Sequence, residues 1–422
     1  MAASTLRLLS AFVTVLVCGT ALVGAEPSAK RLVPADLAYV GAFRLPEGSG
    51  DSSWEWCGEA LAYHPGGDPQ GPDDGYPGSL FGVGSDPQAW ISEINIPAPA
   101  LSRAKKAEDL PVARTLQPFR DIRRGLFRDY EMYRCGLAVL PKGPGHTVEK
   151  LVFCWGQHMQ EDATEPTHGW CGLDLSAPKM AGPWRVGAFK NYTTCQYLVE
   201  IPKTWSDTYV PGMRLATGRF RDGGQGGKGP SLIAFALPAE DKPPTAGGTL
   251  DAKPLLLYGT VYDENSPAMQ DYSAADEWGG AAWLTAGAKA AVVFVGTKGV
   301  GKYWYGFANG VVWPDEAPFP PIPPAPNDDR GWWSPRFAAR MLFYDPEDLA
   351  AVAKGQKKPH EPQPYATLDI DDQLFAVKSP SQKHRVRGCA FDRQRGLLYV
   401  IEFRADGDKS IVHVWRIKTQ AQ

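Results

Sequence analysis

A short phrase occurs four times in this chain, and each time a small residue leads into a brief apolar strand. The copies begin at Gly58, Cys135, Gly280 and Gly388 and read GEALAYHP, CGLAVLP, GAAWLT and GCAFD. After a polar turn, a second apolar run follows each copy: SLFGVG, LVFCWG, AVVFVG and GLLYVI. A hairpin of two apolar strands cannot bury both faces alone, so several hairpins must pack around a common axis. The pattern therefore predicts an all-β fold, a β-propeller, and it favours this over a single sandwich because the copies span nearly the whole chain.

Composition agrees with many short strands joined by tight turns. The 422 residues include 45 glycines and 38 prolines, and 11% are aromatic, which suits strands and turns. The best helical segment is residues 346–355, with Asp345 as its N-cap and Gly355 as its stop. Residues 37–45 are predicted to be a first strand and residues 410–418 a last strand. In a propeller these two complete one blade together, which closes the ring and removes its free edges.

The N-terminus has the pattern of a secretory signal: Arg7, an apolar run to Val23, then small residues. We predict a signal peptide over residues 1–25, a single β-propeller domain over residues 26–422, and a secreted or periplasmic location. No later segment is apolar enough to span a bilayer. The net charge of −3 gives no broad electrostatic attraction to nucleic acid or to an anionic membrane, and we expect a monomer.

Six cysteines follow the predicted signal, and an even number in an exported protein permits disulfides. We expect one or two bridges, because several of these cysteines lie in apolar strands. Cys154, His158, His168 and Cys171 together have the composition of a zinc site. The alternative is a disulfide between Cys154 and Cys171, or two packed thiols. The chemistry predicted below requires no cofactor, although structural zinc here or calcium in the turn from Asp68 to Asp74 is compatible with the sequence.

The densest group of reactive side chains lies between residues 154 and 222 and combines histidine, tyrosine and arginine. This combination suits β-elimination from a uronate-containing polysaccharide. A base removes the proton beside the carboxylate, while a cation stabilises the charge that develops. Aromatic faces such as Trp170 and Trp205 can stack on sugar rings. Each residue also has an ordinary structural alternative, since tyrosines pack in cores and arginines pair with nearby acids.

Several further segments carry a family resemblance: GAFRLP from Gly41, INIP from Ile94, GQH ending at His158, GRFRDGG from Gly218 and YSAADEW from Tyr272. With them the chain resembles the secreted seven-bladed β-propeller ulvan lyases and their uncharacterised relatives. The resemblance implies seven blades and an active-site cleft at one end that holds two histidines, a tyrosine and an arginine. One departure is the turn GSDP at Gly84, where the resemblance implies a histidine.

Carried over by motif, the resemblance implies a set of site residues in this chain. The catalytic candidates are His158, His168, Tyr209, Arg219, Arg221 and Tyr272. The sugar-binding candidates are Tyr262, which the resemblance also suggests, and Trp170 and Trp205, which are chosen for their aromatic faces alone. Side chains two residues apart on a strand lie on the same face, so Arg219 and Arg221 would point the same way. The pattern therefore does not choose between them. This reading predicts that His168→Ala and Arg221→Ala abolish activity while folding stays intact.

Three functions compete at this stage. The first is an exported lyase that acts on an acidic polysaccharide. The second is a non-catalytic propeller that binds carbohydrate or protein through exposed aromatic residues such as Trp332 and Trp333. The third is a metal-dependent hydrolase, with aspartates in the turns or the cysteine and histidine group holding the metal.

Overall fold

The computed structural model describes residues 30–123, 125–127, 129–130, 133–158, 164–220 and 227–418. The predicted signal peptide and the candidate residue Arg221 lie outside these ranges. No described helix is long and apolar enough to cross a membrane.

The described residues form short strands almost throughout, with two α-helices. The strands are β1 (Lys30–Arg31), β2 (Leu37–Arg44), β3 (Leu61–His64), β4 (Ser79–Val83), β5 (Ile91–Asn95), β6 (Thr115–Arg120), β7 (Tyr133–Leu140), β8 (Lys150–Gln157), β9 (His168–Cys171), β10 (Ala181–Val186), β11 (Tyr197–Glu200), β12 (Leu215–Gly218), β13 (Leu232–Phe235), β14 (Thr249–Leu250), β15 (Ala252–Leu256), β16 (Glu277–Ala286), β17 (Lys289–Val300), β18 (Trp304–Gly306), β19 (Gly331–Trp333), β20 (Arg336–Tyr344), β21 (Ala366–Asp369), β22 (Val386–Asp392), β23 (Leu397–Asp406) and β24 (Lys409–Ile417). The helices are α1 (Lys203–Tyr209) and α2 (Pro346–Ala353).

Five antiparallel blades form a β-propeller from these strands. From the axis outwards, the blades are β3-β4-β5-β6, β7-β8-β9-β10, β11-β12-β13-β15, β16-β17-β20-β21 and β22-β23-β24-β2, here numbered one to five. The innermost strands contact one another in this order, and β22 returns to β3. The predicted all-β propeller is therefore confirmed. The predicted number of blades is wrong, because the described residues form five blades where seven were expected.

The ring closes as the terminal strands predict. Strand β2 pairs with β24 in antiparallel register, from Leu37 opposite Ile417 to Arg44 opposite Ile411. The outermost strand of blade five thus comes from the beginning of the chain, and its other three strands come from the end. Helix α2 is also where the sequence predicts it, and the side chain of its N-cap Asp345 accepts a hydrogen bond from the amide of Glu347.

The repeated phrase marks where neighbouring innermost strands approach most closely. A Cβ atom added to Gly280 would lie 2.7 Å from the carbonyl oxygen of Arg387, and one added to Gly388 would lie 2.9 Å from that of Glu59. A Cβ at Gly136 would lie 2.9 Å from the carbonyl carbon of Tyr197. These separations leave no room for a side chain, which explains the small residue in the phrase.

All six described cysteines are free and buried, so the predicted disulfides are wrong. Cys154 and Cys171 belong to apolar clusters on opposite sides of blade two. They act as small apolar core residues, and burial raises the pKa of both thiols.

Candidate functional site

Polar side chains gather at one end of the propeller axis, which we call the upper face. The five innermost strands all begin at this end, and the residues at or just before their starts are Glu59, Arg134, Gln196, Glu277 and Arg387. Glu59 and Gln196 line a central cavity of about 10 Å³ together with residues of all five innermost strands. The opposite end, where these strands finish, is the lower face.

Two arginines and two carboxylates form a network at the upper face. Nη1 of Arg387 donates to Oε1 of Glu59 at 2.9 Å and to Oδ2 of Asp86 at 3.2 Å. Nη1 of Arg134 lies 3.8 Å from the same Glu59 oxygen. The buried Oε2 of Glu59 has no hydrogen-bond partner among the described residues. Burial raises the pKa of Asp86, against the attraction of Arg387 and with the repulsion of Glu59, so Asp86 is a proton donor at higher pH than an ordinary aspartate.

Asp86 lies in the GSDP turn of blade one, where the resemblance implies a histidine. The turn therefore does reach the upper face, but it brings a carboxyl group there.

His384 and Glu277 form a histidine–carboxylate dyad at the edge of this network. Nδ1 of His384 lies 2.7 Å from Oε2 of Glu277. Although burial opposes ionisation, the adjacent His384 and the nearby Lys383 and Arg387 lower the pKa of Glu277 to about 2. The anionic carboxylate can only accept, so Nδ1 of His384 carries the proton of this bond. Whenever the ring is in its neutral form, Nε2 has a lone pair that can act as a base.

The backbone of His384 has a φ of +54°, a left-handed conformation that is costly for a residue with a side chain. The fold therefore holds the imidazole in this place at the expense of local strain.

This dyad differs from two other histidine–glutamate pairs in the solvent exposure of its histidine side chain. The side chain of His384 is 44% exposed, whereas those of His64 and His413 are 12% and 0% exposed. Both ring nitrogens of His413 are occupied, by Glu402 and by the hydroxyl of Tyr39. Among these three pairs, His384 alone presents a carboxylate-held imidazole broadly to solvent.

His158 reaches the upper face, as the sequence predicts. It directly follows β8, and its Nδ1 lies 2.9 Å from Nη2 of Arg134. Arg219 is close but only 1% exposed. Its guanidinium donates to the carbonyl oxygens of Gln157 at 2.8 Å, His158 at 2.5 Å and Asn191 at 3.3 Å. Arg219 therefore positions the end of β8 and is not placed to bind a substrate carboxylate.

His168 is a core residue, contrary to its predicted catalytic role. It is 0% exposed, and its ring nitrogens lie 2.9 Å from the hydroxyl oxygens of Thr167 and Thr217. Burial lowers the pKa of His168 to about 3, so the ring is neutral. Since Thr217 lies on β12, His168 joins blade two to blade three.

Three of the predicted aromatic residues are structural. Tyr209 and Trp205 lie on α1, which connects β11 to β12 at the lower face, and their ring centroids are 4.9 Å apart. Trp205 also packs against Trp283, with centroids 4.6 Å apart. Trp170 is 7% exposed and lies under the ammonium group of Lys150. None of these three rings lies at the upper face with a free surface for a sugar.

Tyr262 and Tyr272 are both in the segment that joins blade three to blade four at the upper face. Tyr262 is 65% exposed. Tyr272 is partly buried and lines a cleft beside blade four. Of the five aromatic candidates for the lyase site, these two lie on the same face as the network.

The predicted metal sites do not assemble. Within the described part of the chain, no group of three or more histidine, cysteine, aspartate or glutamate side chains is arranged to hold a metal ion. Asp68, in the turn proposed for calcium, pairs instead with Arg114 at 3.3 Å.

Sequence reasoning missed most of the network, namely Glu59, Asp86, Arg134, Glu277, His384 and Arg387. A signal for them was present, because five of the six, all except Asp86, lie within four residues of the start of a repeated phrase. Neither models of known protein families nor curated proteins match this chain.

Proposed function

We propose that this protein cleaves a uronate-containing polysaccharide by β-elimination at the upper face, with His384 as the base. The observation that carries the proposal is the exposed imidazole held by anionic Glu277 near Arg387, which in turn is paired with Glu59 and Asp86. A base whose orientation is fixed by a carboxylate, with cations nearby, is the arrangement that this reaction needs.

The chemistry assigns one task to each group. Nε2 of His384 takes the proton from the sugar carbon that bears the carboxylate. The electron pair forms a double bond to the neighbouring carbon as the glycosidic carbon–oxygen bond breaks. Asp86, whose pKa is raised, supplies a proton to the leaving oxygen. Arg134 and Arg387 stabilise the negative charge that develops on the substrate carboxylate.

The five-bladed ring differs from the seven blades that the resemblance implies, so the proposal rests on the site and names only the class of acidic polysaccharide. Such polymers are too large to enter a cell intact. The predicted signal peptide supports this proposal, since it would export the enzyme to its substrate.

The test uses a chain that begins at Glu26 and a panel of uronate polysaccharides, including ulvan and polygalacturonate. We expect a rise in ultraviolet absorbance from the unsaturated product. His384→Ala should lower kcat by about 10²- to 10⁴-fold, the contribution typical of a general base. Glu277→Gln should lower kcat by about 10²-fold, because the amide no longer fixes the tautomer or the charge.

His360→Ala is the matched control, since His360 lies in the loop after α2 and is not one of the network residues. Full turnover in His384→Ala would show that the base is assigned wrongly. Binding without any product, in a folded protein, would identify a non-catalytic propeller.

A specific observation also favours hydrolysis as a second candidate. Glu59 and Asp86 share Nη1 of Arg387, and the raised pKa of Asp86 suits the acid of a glycosidase carboxylate pair. Hydrolysis would release reducing ends without unsaturated product. It would be lost in Asp86→Asn and largely kept in His384→Ala.

A further inference from the structure

Blade four carries a large insertion at the upper face, between β17 and β20. Strand β17 reaches this face where Thr297 pairs with Glu277, and residues 301–335 extend beyond it. Within the insertion β18 pairs with β19, opposing Trp304 to Trp333 and Tyr305 to Trp332. The ring of Tyr303 packs at 5.6 Å from that of Trp332. The result is an aromatic platform, which we define as Tyr303, β18 and β19.

The platform is fixed against the dyad from two sides. Trp333 is 9% exposed and packs in one cluster with Ala275, two residues before Glu277. The ammonium group of Lys383, the residue before His384, lies 4.3 Å from the centroid of the Trp333 ring. Trp333 of the platform therefore packs against residues next to both members of the dyad, Ala275 near Glu277 and Lys383 beside His384. This packing fixes the position of the platform relative to the dyad.

A cleft of about 710 Å³ separates the platform from the segment that carries Tyr272. Its lining includes Asp271, Tyr272 and Tyr303 together with the cations Lys298, Lys302 and Arg340. Two of these cations are paired with carboxylates, Lys298 with Asp276 and Arg340 with Asp369, so Lys302 is the cation that remains to attract an anionic ligand. Lys302 is exposed and has no ion pair within the described ranges.

Tyr303 gives the cleft an exposed aromatic surface. Its side chain is 40% exposed, in contrast to buried Trp333. An aromatic ring offers a large apolar face at a small entropic cost, and the faces of sugar rings, which carry C–H groups, pack on such surfaces. Positive charge and an aromatic face in one open cleft together suit a negatively charged sugar.

We infer that this cleft is a binding subsite for anionic sugar units of the polymer whose cleavage is proposed above, with Tyr303 as the stacking residue and Lys302 as the carboxylate-binding residue. The inference rests on the proposed function for the identity of the ligand. It adds a direction of binding, because the chain of sugars would run from the dyad outwards across blade four.

Binding is measured separately from cleavage, in the His384→Ala background, with polygalacturonate oligosaccharides as the probe and their methyl esters as the neutral control. Tyr303→Ala and Lys302→Met should each weaken the Kd for the acidic oligosaccharides by about three- to tenfold, the effect of one aromatic or charged contact. Tyr303→Phe should restore most of the affinity. Lys358→Met removes the same charge in the loop after α2, outside the cleft lining, and should leave the Kd unchanged.

The outcomes separate the subsite from the catalytic proposal. Unchanged Kd values in both cleft variants would overturn the subsite even if the protein with His384 intact forms unsaturated product. Weakened binding in the variants, without product from the protein with His384 intact, would support the subsite and reject the lyase. Equal affinity for the methyl esters would reject the anionic ligand.

Discussion

At the residue scale, the histidines differ in what holds their ring nitrogens. His384 has one nitrogen on a carboxylate and the other toward solvent, whereas both nitrogens of His168 bond to threonine hydroxyls in the core. The first arrangement leaves a lone pair for chemistry, and the second uses both nitrogens to join two blades. Chemical type alone, which is all that the sequence provides, does not distinguish the two.

His168→Ala should therefore lower stability and spare the active site. Loss of a fully buried ring and of two hydrogen bonds should reduce the free energy of unfolding by about 2–4 kcal/mol. Urea denaturation measures this loss, and activity below the unfolding transition should stay near that of the unchanged protein. An inactive but equally stable variant would contradict this assignment.

The carboxyl groups of Asp276 and Glu277, which are neighbours in the sequence, should make stability depend on pH in opposite directions. The pKa of Glu277 falls from 4.5 to about 2, so its contribution to stability is present above pH 4.5 and is lost as the pH falls toward 2. Burial raises the pKa of Asp276 from 3.8 to about 6, although Lys298 opposes this. Between pH 3.8 and about pH 6, the folded protein therefore holds a proton on Asp276 that the unfolded chain releases. The stability that this proton contributes falls as the pH rises through the same range.

Unfolding free energies measured from pH 2 to pH 7 check both signs. The deficit of Glu277→Gln relative to the unchanged protein should shrink as the pH falls from 5 to 2. The deficit of Asp276→Asn should shrink as the pH rises from 4 to 6. Parallel curves for the three proteins would contradict the assigned shifts.

At the element scale, the close approach of the innermost strands sets which substitutions the ring tolerates. A methyl group on Gly280 would meet backbone atoms of blade five, Arg387 O at 2.7 Å and Cys389 N at 3.0 Å, which cannot move aside independently. Gly280→Ala should thus reduce the free energy of unfolding by about 1–3 kcal/mol, as overpacking does. Gly172→Ala is the control, because nothing lies within 4 Å of its added Cβ.

The sequence identified four of the five innermost strands, and the physical reason for the missed strand is specific. Strand β11 begins with Tyr197, preceded by Gln196, where the other copies have small residues. Here Gly136 of the neighbouring strand supplies the space. The count of seven blades was taken from the family resemblance, whereas in the described residues part of the chain length forms insertions. The aromatic insertion of blade four, 35 residues from 301 to 335, is one example.

At the scale of the whole molecule, the candidate site is assembled from distant parts of the chain. Glu59, Arg134, Glu277 and His384 lie in different blades and meet because every innermost strand begins at the same face. By contrast, the described residues between 154 and 220 are close in sequence but are spread over both faces and the core. For this reason His158 lies at the network, whereas Tyr209 lies at the lower face. The repeated phrase predicts the architecture, whereas the side chains that meet at the axis depend on the ring as a whole.

The pairing of β2 with β24 also imposes an order on biosynthesis. A ribosome makes β2 hundreds of residues before its partner, so the nascent chain carries an unpaired edge until translation reaches Ile417. Completion of this blade therefore requires a loop closure between residues that are more than 300 positions apart in the chain. The ring stays open until β24 has been made.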